Sequence, residues 1–406
     1  MTVQHNRRRL VQAGLGASAL GAMPGVEVMR SARAAGPGRK LVTIHLTGGN
    51  DTVNTVIPYA DPRYAAVRGA LAIPVTAAMP KLDARNALHP SLKGLHALWN
   101  RNRVAIVHGV GYPAFDYSHF QAMEIYWSAD PRRTTYTGWL GRALDTVSGG
   151  QTAPGVLTGL SIGWSLPPSL IARTVSPPQL PPRADGFYLP SWGAQQAALK
   201  SVLSQPPTGT NLFYDAYLRN SHAAIRAQDV VRAAGALGTT VTYPESDFAQ
   251  GLRFAAQLLR TDAEVRVVAM EQGSYDTHES QLAQHTESLT ELDEGLRAFT
   301  ADLDLHGLSD DVLVLLWSEF ARRVVPNASL GTDHGSAQAM ILIGAGVRRG
   351  IVGTPPTFDP ARLVDDGNLP MQFDFRQLYA TVLDQWLGLD SKTVLGAVHP
   401  HLPVLL

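Results

Sequence analysis

Apolar positions along the chain fall into two kinds of run. Short stretches rich in β-branched residues read as buried strands: Leu41 to Thr47, Val104 to Val107, Glu264 to Met270, Val312 to Trp317 and Met340 to Ile343. Longer stretches with helical spacing lie among them. Ser91 to Asn100 repeats Leu92, Leu95 and Leu98, and Ser118 to Trp127, Asn211 to Leu237, Tyr243 to Arg260 and Gln284 to Leu303 also read as helices. Another helix starts at Gly138, and Asp374 to Leu387 carries an apolar face of Phe375, Leu378, Val382 and Trp386. This alternation predicts an open α/β sheet. Pro58 to Pro90 is irregular, and Gly149 to Gly209, rich in Pro, Gly and Ser, reads as a loop-heavy insertion placed to overhang one edge of the sheet.

Ionisable residues collect where the strands end. Asp51 follows the first strand and the turn Gly48-Gly49-Asn50, and Ser118-His119 opens the helix after the second. Asp276 and His278 follow the third, Ser318-Glu319 the fourth, and Asp333-His334 stands between Gly331 and Gly335 just before the last. In open α/β sheets the loops at the carboxyl ends of the strands form the ligand crevice, so this pattern points to a metal or an ionic substrate. Each piece alone has a plainer reading. Asp51 and Ser118 are good helix N-caps, and most arginines, Arg142 included, are simply solvated. Asp276 and His278, two residues apart, face one side of an extended loop, a usable metal-ligand spacing. Ser118 lies where free helix N–H groups hold an anion and a nearby cation can activate a hydroxyl.

Composition narrows the chemistry. The 406-residue chain has 45% hydrophobic residues, enough for a large core. Lys+Arg and Asp+Glu are equal at 34 each, so no global field favours nucleic acid or an acidic membrane. Cysteine is absent, which excludes thiolate catalysis, iron–sulfur clusters and Cys-ligated zinc. Any metal is therefore held by His, Asp and Glu, a set that suits zinc, manganese, iron(II) or calcium, and a pair of such ions suits phosphate or sulfate esters. There is no P-loop, and Gly48-Gly49 lacks the third glycine of a dinucleotide turn. At the N-terminus, Arg7-Arg8-Arg9, a modest apolar stretch from Ala13 to Val28 and Ala32-Arg33-Ala34 make a removable export signal over residues 1–35. It is too interrupted for a membrane span, and its adjacent arginines favour the twin-arginine route to the periplasm.

The motifs GGND at Gly48, SHF at Ser118, GWLGR at Gly138, DTH at Asp276, SEF at Ser318 and TDHG at Thr332 together resemble the exported bacterial domain of unknown function 1501 family, over nearly the whole of residues 36–406. That family is similar in fold to the alkaline phosphatase and sulfatase superfamily. The resemblance implies one three-layer α/β domain, a mostly parallel sheet with helices on both faces, and a two-metal site at its carboxyl edge. Position by position, it implies that Asp51 is the acid after the first strand, that Asp276, His278 and His334 hold one metal with Asp333 beside them, and that Glu319 replaces the aspartate of a second. Phe320 stands where the superfamily has a histidine, and Phe115 where its nucleophile usually lies. Ser118 and Thr52 are the available hydroxyls, with His119 as a catalytic partner and Asn50, Arg142 and Arg322 as candidate substrate contacts. The reading implied is a periplasmic hydrolase of small-molecule or polysaccharide phosphate or sulfate esters that uses one or two divalent ions (zinc, manganese or calcium) and binds no nucleic acid. The alternative is a non-catalytic descendant that uses the scaffold to bind a protein or a cell-envelope polysaccharide.

Overall fold

The structure, a computed structural model, describes residues 38–149, 157–183, 193–203, 205, 212–261, 264–365 and 367–406. The expected export signal over 1–35 lies outside the described residues, as do parts of the expected insertion.

In chain order the elements are β1 (Lys40–Leu46), α1 (Thr52–Thr55), β2 (Val56–Ile57), α2 (Tyr64–Arg68), β3 (Ala87–Leu88), α3 (Lys93–Asn100), β4 (Val104–Gly111), α4 (His119–Ser128) and α5 (Trp139–Val147). Then come β5 (Gly159–Ile162), β6 (Gln179–Leu180), α6 (Gly193–Leu203), α7 (Leu212–Gly235), α8 (Asp247–Leu259), β7 (Val267–Gln272) and α9 (Gln281–Leu305). The last part holds β8 (Val312–Trp317), β9 (Gln338–Ile343), β10 (Gly350–Val352), β11 (Phe373–Asp374), α10 (Phe375–Thr381), a π-helical turn at Val382–Leu387 and α11 (Ser391–Leu395).

Nine strands form the main sheet in the order β10-β4-β9-β8-β1-β7-β5-β6, with β11 beside β4. The sheet is mostly parallel; β9 alone runs against both its neighbours, β4 and β8. Because strand side chains alternate between faces, an unbroken apolar run must be covered twice. In β8, Val312, Val314 and Leu316 pack with α3, α8 and α9 on one face, whereas Leu313, Leu315 and Trp317 pack with α4, α5 and α10 on the other. This is the three-layer α/β architecture expected from the sequence.

Two local expectations change. The stretch 149–209 is not loop alone, because β5 and β6 extend the sheet beyond β7. Within Pro58 to Pro90, α2 and β3, which pairs with β2 just before the stretch, give regular structure to residues whose prolines and short elements hide any period. Among the described residues, no helix is long and apolar enough to cross a membrane.

Candidate metal centre

The exits of β1, β7 and β8, the start of α4 and the loop before β9 meet at one edge of the sheet. The reversal of β9 is what brings its preceding loop, with His334, to the edge where the parallel strands end. The turn after β1 is tight. Gly48 (φ +113°) and Gly49 (φ +83°) lie in the left-handed region that favours glycine. A Cβ on Gly48 would collide with the backbone of Tyr275 and Asp276, and one on Gly49 with the Phe320 ring.

One ligand atom from each of His119, Asp276 and His334 lies within 4.8 Å of the other two. His278 adjoins them. Its Nε2 is 3.0 Å from Asp276 Oδ1 and 2.9 Å from His334 Nε2. The Nε2 atoms of His119 and His334 are each 3.4 Å from that same oxygen. Three imidazole Nε2 atoms therefore face one carboxylate.

Each ring has an oxygen at its other nitrogen. His334 Nδ1 lies 2.7 Å from the Tyr117 carbonyl, and His119 Nδ1 lies 2.8 Å from Glu319 Oε1. A carbonyl and a carboxylate only accept, so both Nδ1 atoms carry hydrogen and Nε2 is left as the coordinating atom. His278 Nδ1 lies 3.6 Å from Asp333 Oδ1, and Asp333 is held in turn by the Asn327 amide at 3.2 Å. His119 Nε2 is buried and has no hydrogen-bond partner. An unpartnered imidazole nitrogen near a carboxylate, beside two further Nε2 atoms that meet each other, fits a divalent cation of the zinc or manganese type.

Charge supports this arrangement. Burial works against ionisation of Asp276, but the Arg322 guanidinium and the neighbouring imidazoles hold its pKa below the usual carboxylate range. Burial lowers the His334 pKa and favours the neutral, ligating form. The hydrogen bond that His119 donates to Glu319 raises the pKa of His119. Metal uptake is therefore expected to release protons.

The remaining expected site residues take other roles. Glu319, 1% exposed, lies behind the cluster: it accepts from Gly48 N at 2.8 Å and Ser318 Oγ at 3.1 Å, and lies 3.0 Å from His45 Nε2 as well as against His119. Burial opposes its ionisation, yet these hydrogen bonds hold its carboxyl well below the ordinary range. Asp51 is fully buried. Its Oδ1 caps α1 through Val53 N (3.1 Å) and Asn54 N (3.3 Å), and its Oδ2 accepts from Arg68 and Gln281. Both oxygens are already engaged.

Arg322 is turned inward. Its buried guanidinium donates to the carbonyls of Gly49 (2.9 Å), Thr332 (2.8 Å) and Gly48 and to Asp276, tying three loops together. Arg142 donates to the carbonyls of Val394 (2.5 Å), Thr137 (2.5 Å) and Ser128 (2.7 Å). Asn50 is turned inward, where its Oδ1 lies 3.0 Å from Thr55 Oγ1 and 2.9 Å from His285 Nε2. Thr52 lines a different cavity, one that includes no member of the histidine cluster. Ser118 occupies the N-cap of α4 without its side chain capping the helix. Phe320 is fully buried, its ring centroid 4.8 Å from that of His119 and 4.6 Å from that of His334, so an apolar ring fills the space beneath both imidazoles.

Sequence reasoning missed His45, stacked on Trp317 at 4.0 Å and held behind Glu319. A lone imidazole in a strand buried on both faces was the available signal, because such a group needs a partner. It also missed Arg68, for which an irregular stretch offers no signal.

No curated protein matches the chain. Among solved structures it is similar to a protein in the alkaline phosphatase superfamily from Vibrio parahaemolyticus, at 9% identity and a TM-score of 0.36, covering 79% of this chain and 64% of that one. It is similar to the PsFucS1 sulfatase from Pseudoalteromonas sp. (10%, TM-score 0.37, 89% of this chain and 68% of that one). It is also similar to the phosphonate monoester hydrolase of Agrobacterium radiobacter (12%, TM-score 0.36, 89% and 78%). A family model matches residues 38–398, and the chain belongs to that family, described as protein of unknown function (DUF1501).

Proposed function

We propose that the chain is an exported, metal-dependent hydrolase of phosphate or sulfate esters with one main ion, held by His119, Asp276 and His334 with His278 adjoining. The observation that carries the metal part is the convergence of three Nε2 atoms on Asp276 Oδ1, each from a ring whose Nδ1 faces an oxygen. The ester part rests on the motif resemblance. A divalent ion bound there supplies Lewis acidity that polarises an ester oxygen and favours deprotonated water. Glu319 fixes the ring of His119, Asp333 backs His278, and Arg322 holds Asp276 in place. Ser118, beside His119 and with a hydroxyl that does not cap its helix, is the side chain available to attack. Export through the signal at residues 1–35 and a periplasmic location belong to the same proposal.

The test is metal analysis of protein exported in its native host, combined with a screen of aryl phosphate, phosphodiester and aryl sulfate substrates. Stoichiometric zinc or manganese with turnover that is lost in His334→Ala supports the reading. Protein that carries no metal and stays inert with each added divalent ion overturns it. One observation favours a second reading, a non-catalytic binding scaffold: Asp51 and Glu319 are engaged by donors of the protein itself, and Phe320 stands where the resemblance implies a histidine. In that case His334→Ala would leave biological function intact.

A further inference from the structure

A second cavity of about 210 Å³ lies where β4 and the start of β9 meet the loops 353–357 and 369–372. Thr52, His108, Gln338, Thr357, Arg362 and Gln372 line it. Its walls are preformed. Gln372 Oε1 accepts from Thr354 N (2.8 Å) and Oγ1 (2.9 Å), its Nε2 donates to Thr354 O (2.9 Å), and Gln372 N donates to Gly109 O at 2.8 Å. Gln338 is fixed in the same way, by Ser318 N at 2.7 Å and by donation to Ser318 O. Both loops are therefore pinned to each other and to β4, and Pro355, Pro356 and Pro370 stiffen the rim.

The lining is polar and carries a positive charge. His108 is 2% exposed, and its Nε2 is buried without a hydrogen-bond partner. The Thr357 hydroxyl accepts from Asp359 N at 3.2 Å and retains its own hydrogen to donate. Arg362 is exposed and adds a positive charge, while no carboxylate is among the lining residues. The space is smaller than the roughly 300–1,000 Å³ of pockets for drug-sized ligands.

We propose that this cavity binds a compact oxyanion, with the phosphate, sulfate or carboxylate group recognised by Arg362 and by the hydroxyls of Thr52 and Thr357. The site is separate from the histidine cluster and does not depend on the hydrolase reading. It accounts for a hydroxyl at Thr52 that the metal centre does not use.

The experiment is calorimetric titration of the mature protein with sodium phosphate, sodium sulfate and sodium acetate at constant ionic strength, with sodium chloride as the blank. One saturable equivalent is expected for at least one of these anions. Arg362→Gln, at an exposed position that leaves folding intact, should weaken binding about tenfold or more, the loss of a charge-assisted hydrogen bond. Thr52→Val should weaken it several-fold, and His334→Ala, which disrupts the cluster, should leave it unchanged. Absence of saturable binding means a solvent-filled void and overturns the proposal. So does binding that Arg362→Gln leaves intact, or binding that His334→Ala alone abolishes, which would place the anion at the metal centre.

Discussion

Replacing Asp51 with alanine separates a structural carboxylate from a ligating one. Asp51 and Arg68 are both fully buried and paired, and Arg68 also donates to the carbonyls of Arg323 and Val324, each at 3.2 Å. Asp51→Ala leaves a guanidinium uncompensated in the core, a loss of about 3–5 kcal/mol when one partner of a buried pair is removed. Loss of the cap on α1 adds about 1 kcal/mol. The expected total, about 4–6 kcal/mol, is a large part of the roughly 5–15 kcal/mol that separates a typical folded domain from its unfolded chain. Urea unfolding followed by tryptophan fluorescence should show a much earlier midpoint, or no soluble protein at all. Metal measured on whatever folded fraction remains should still be present in wild-type ratio. The double variant Asp51→Ala/Arg68→Met, which replaces the stranded charge with an apolar chain, should recover much of the loss. His334→Ala should do the reverse, losing the metal while its unfolding free energy stays within about 1 kcal/mol of the metal-stripped wild type, as expected for a partly exposed side chain. An Asp51→Ala protein with an unchanged midpoint and no metal would refute the assignment and restore Asp51 as a ligand.

Glu319→Gln removes the charge behind His119 while keeping the shape, and should weaken zinc affinity about 10–100-fold in a competition titration with a chromogenic chelator; unchanged affinity would mean that His119 needs no such support. Phe320→Ala should cost about 3–5 kcal/mol in urea unfolding because its ring is fully buried between imidazoles. Burial lowers the pKa of His89 and His108 to about 4 and that of His285 to about 3. Each of these folded-state values lies below the ordinary 6.5, so between the two the unfolded chain binds more protons. Stability from these histidines is therefore complete above about pH 6.5 and is lost as pH falls toward 4, by about 1.4 kcal/mol per pH unit for each. Unfolding midpoints measured from pH 7 to 4 should fall accordingly, and His285→Gln should flatten the slope; an unchanged slope would show that His285 is not held neutral.

Strands and strand exits were legible because covering a strand on both faces forces an unbroken apolar run, and the polar residues after such a run must lie at an edge. That logic brought Asp276, His278 and His334 together correctly. It treated every exit alike, however, and the exits are not equivalent. Whether Asp51 faces the crevice or the core depends on Arg68, which comes from a stretch with no periodic signal. Glu319 looked like a ligand because its carboxylate follows a strand directly, but His45, in the middle of the neighbouring strand, draws it inward. Arg322 and Arg142 were read by charge alone, and both proved to be fasteners of backbone carbonyls, a role set by tertiary geometry that leaves no mark in local sequence.

The position of β1 has a consequence for synthesis. This first strand lies between β7 and β8, and His45 meets Glu319 across 274 residues of chain. At about 5–20 residues per second, a strand emerging first from the ribosome waits on the order of 15–55 s for its neighbour. Until β7 is made the LVTIHL segment, buried on both faces in the folded protein, has neither edge covered, and until β8 is made one edge stays open. Nascent chains of this protein should consequently be clients of holding chaperones until residue 317 has been made, and truncations ending before β8 should aggregate rather than fold into a smaller domain.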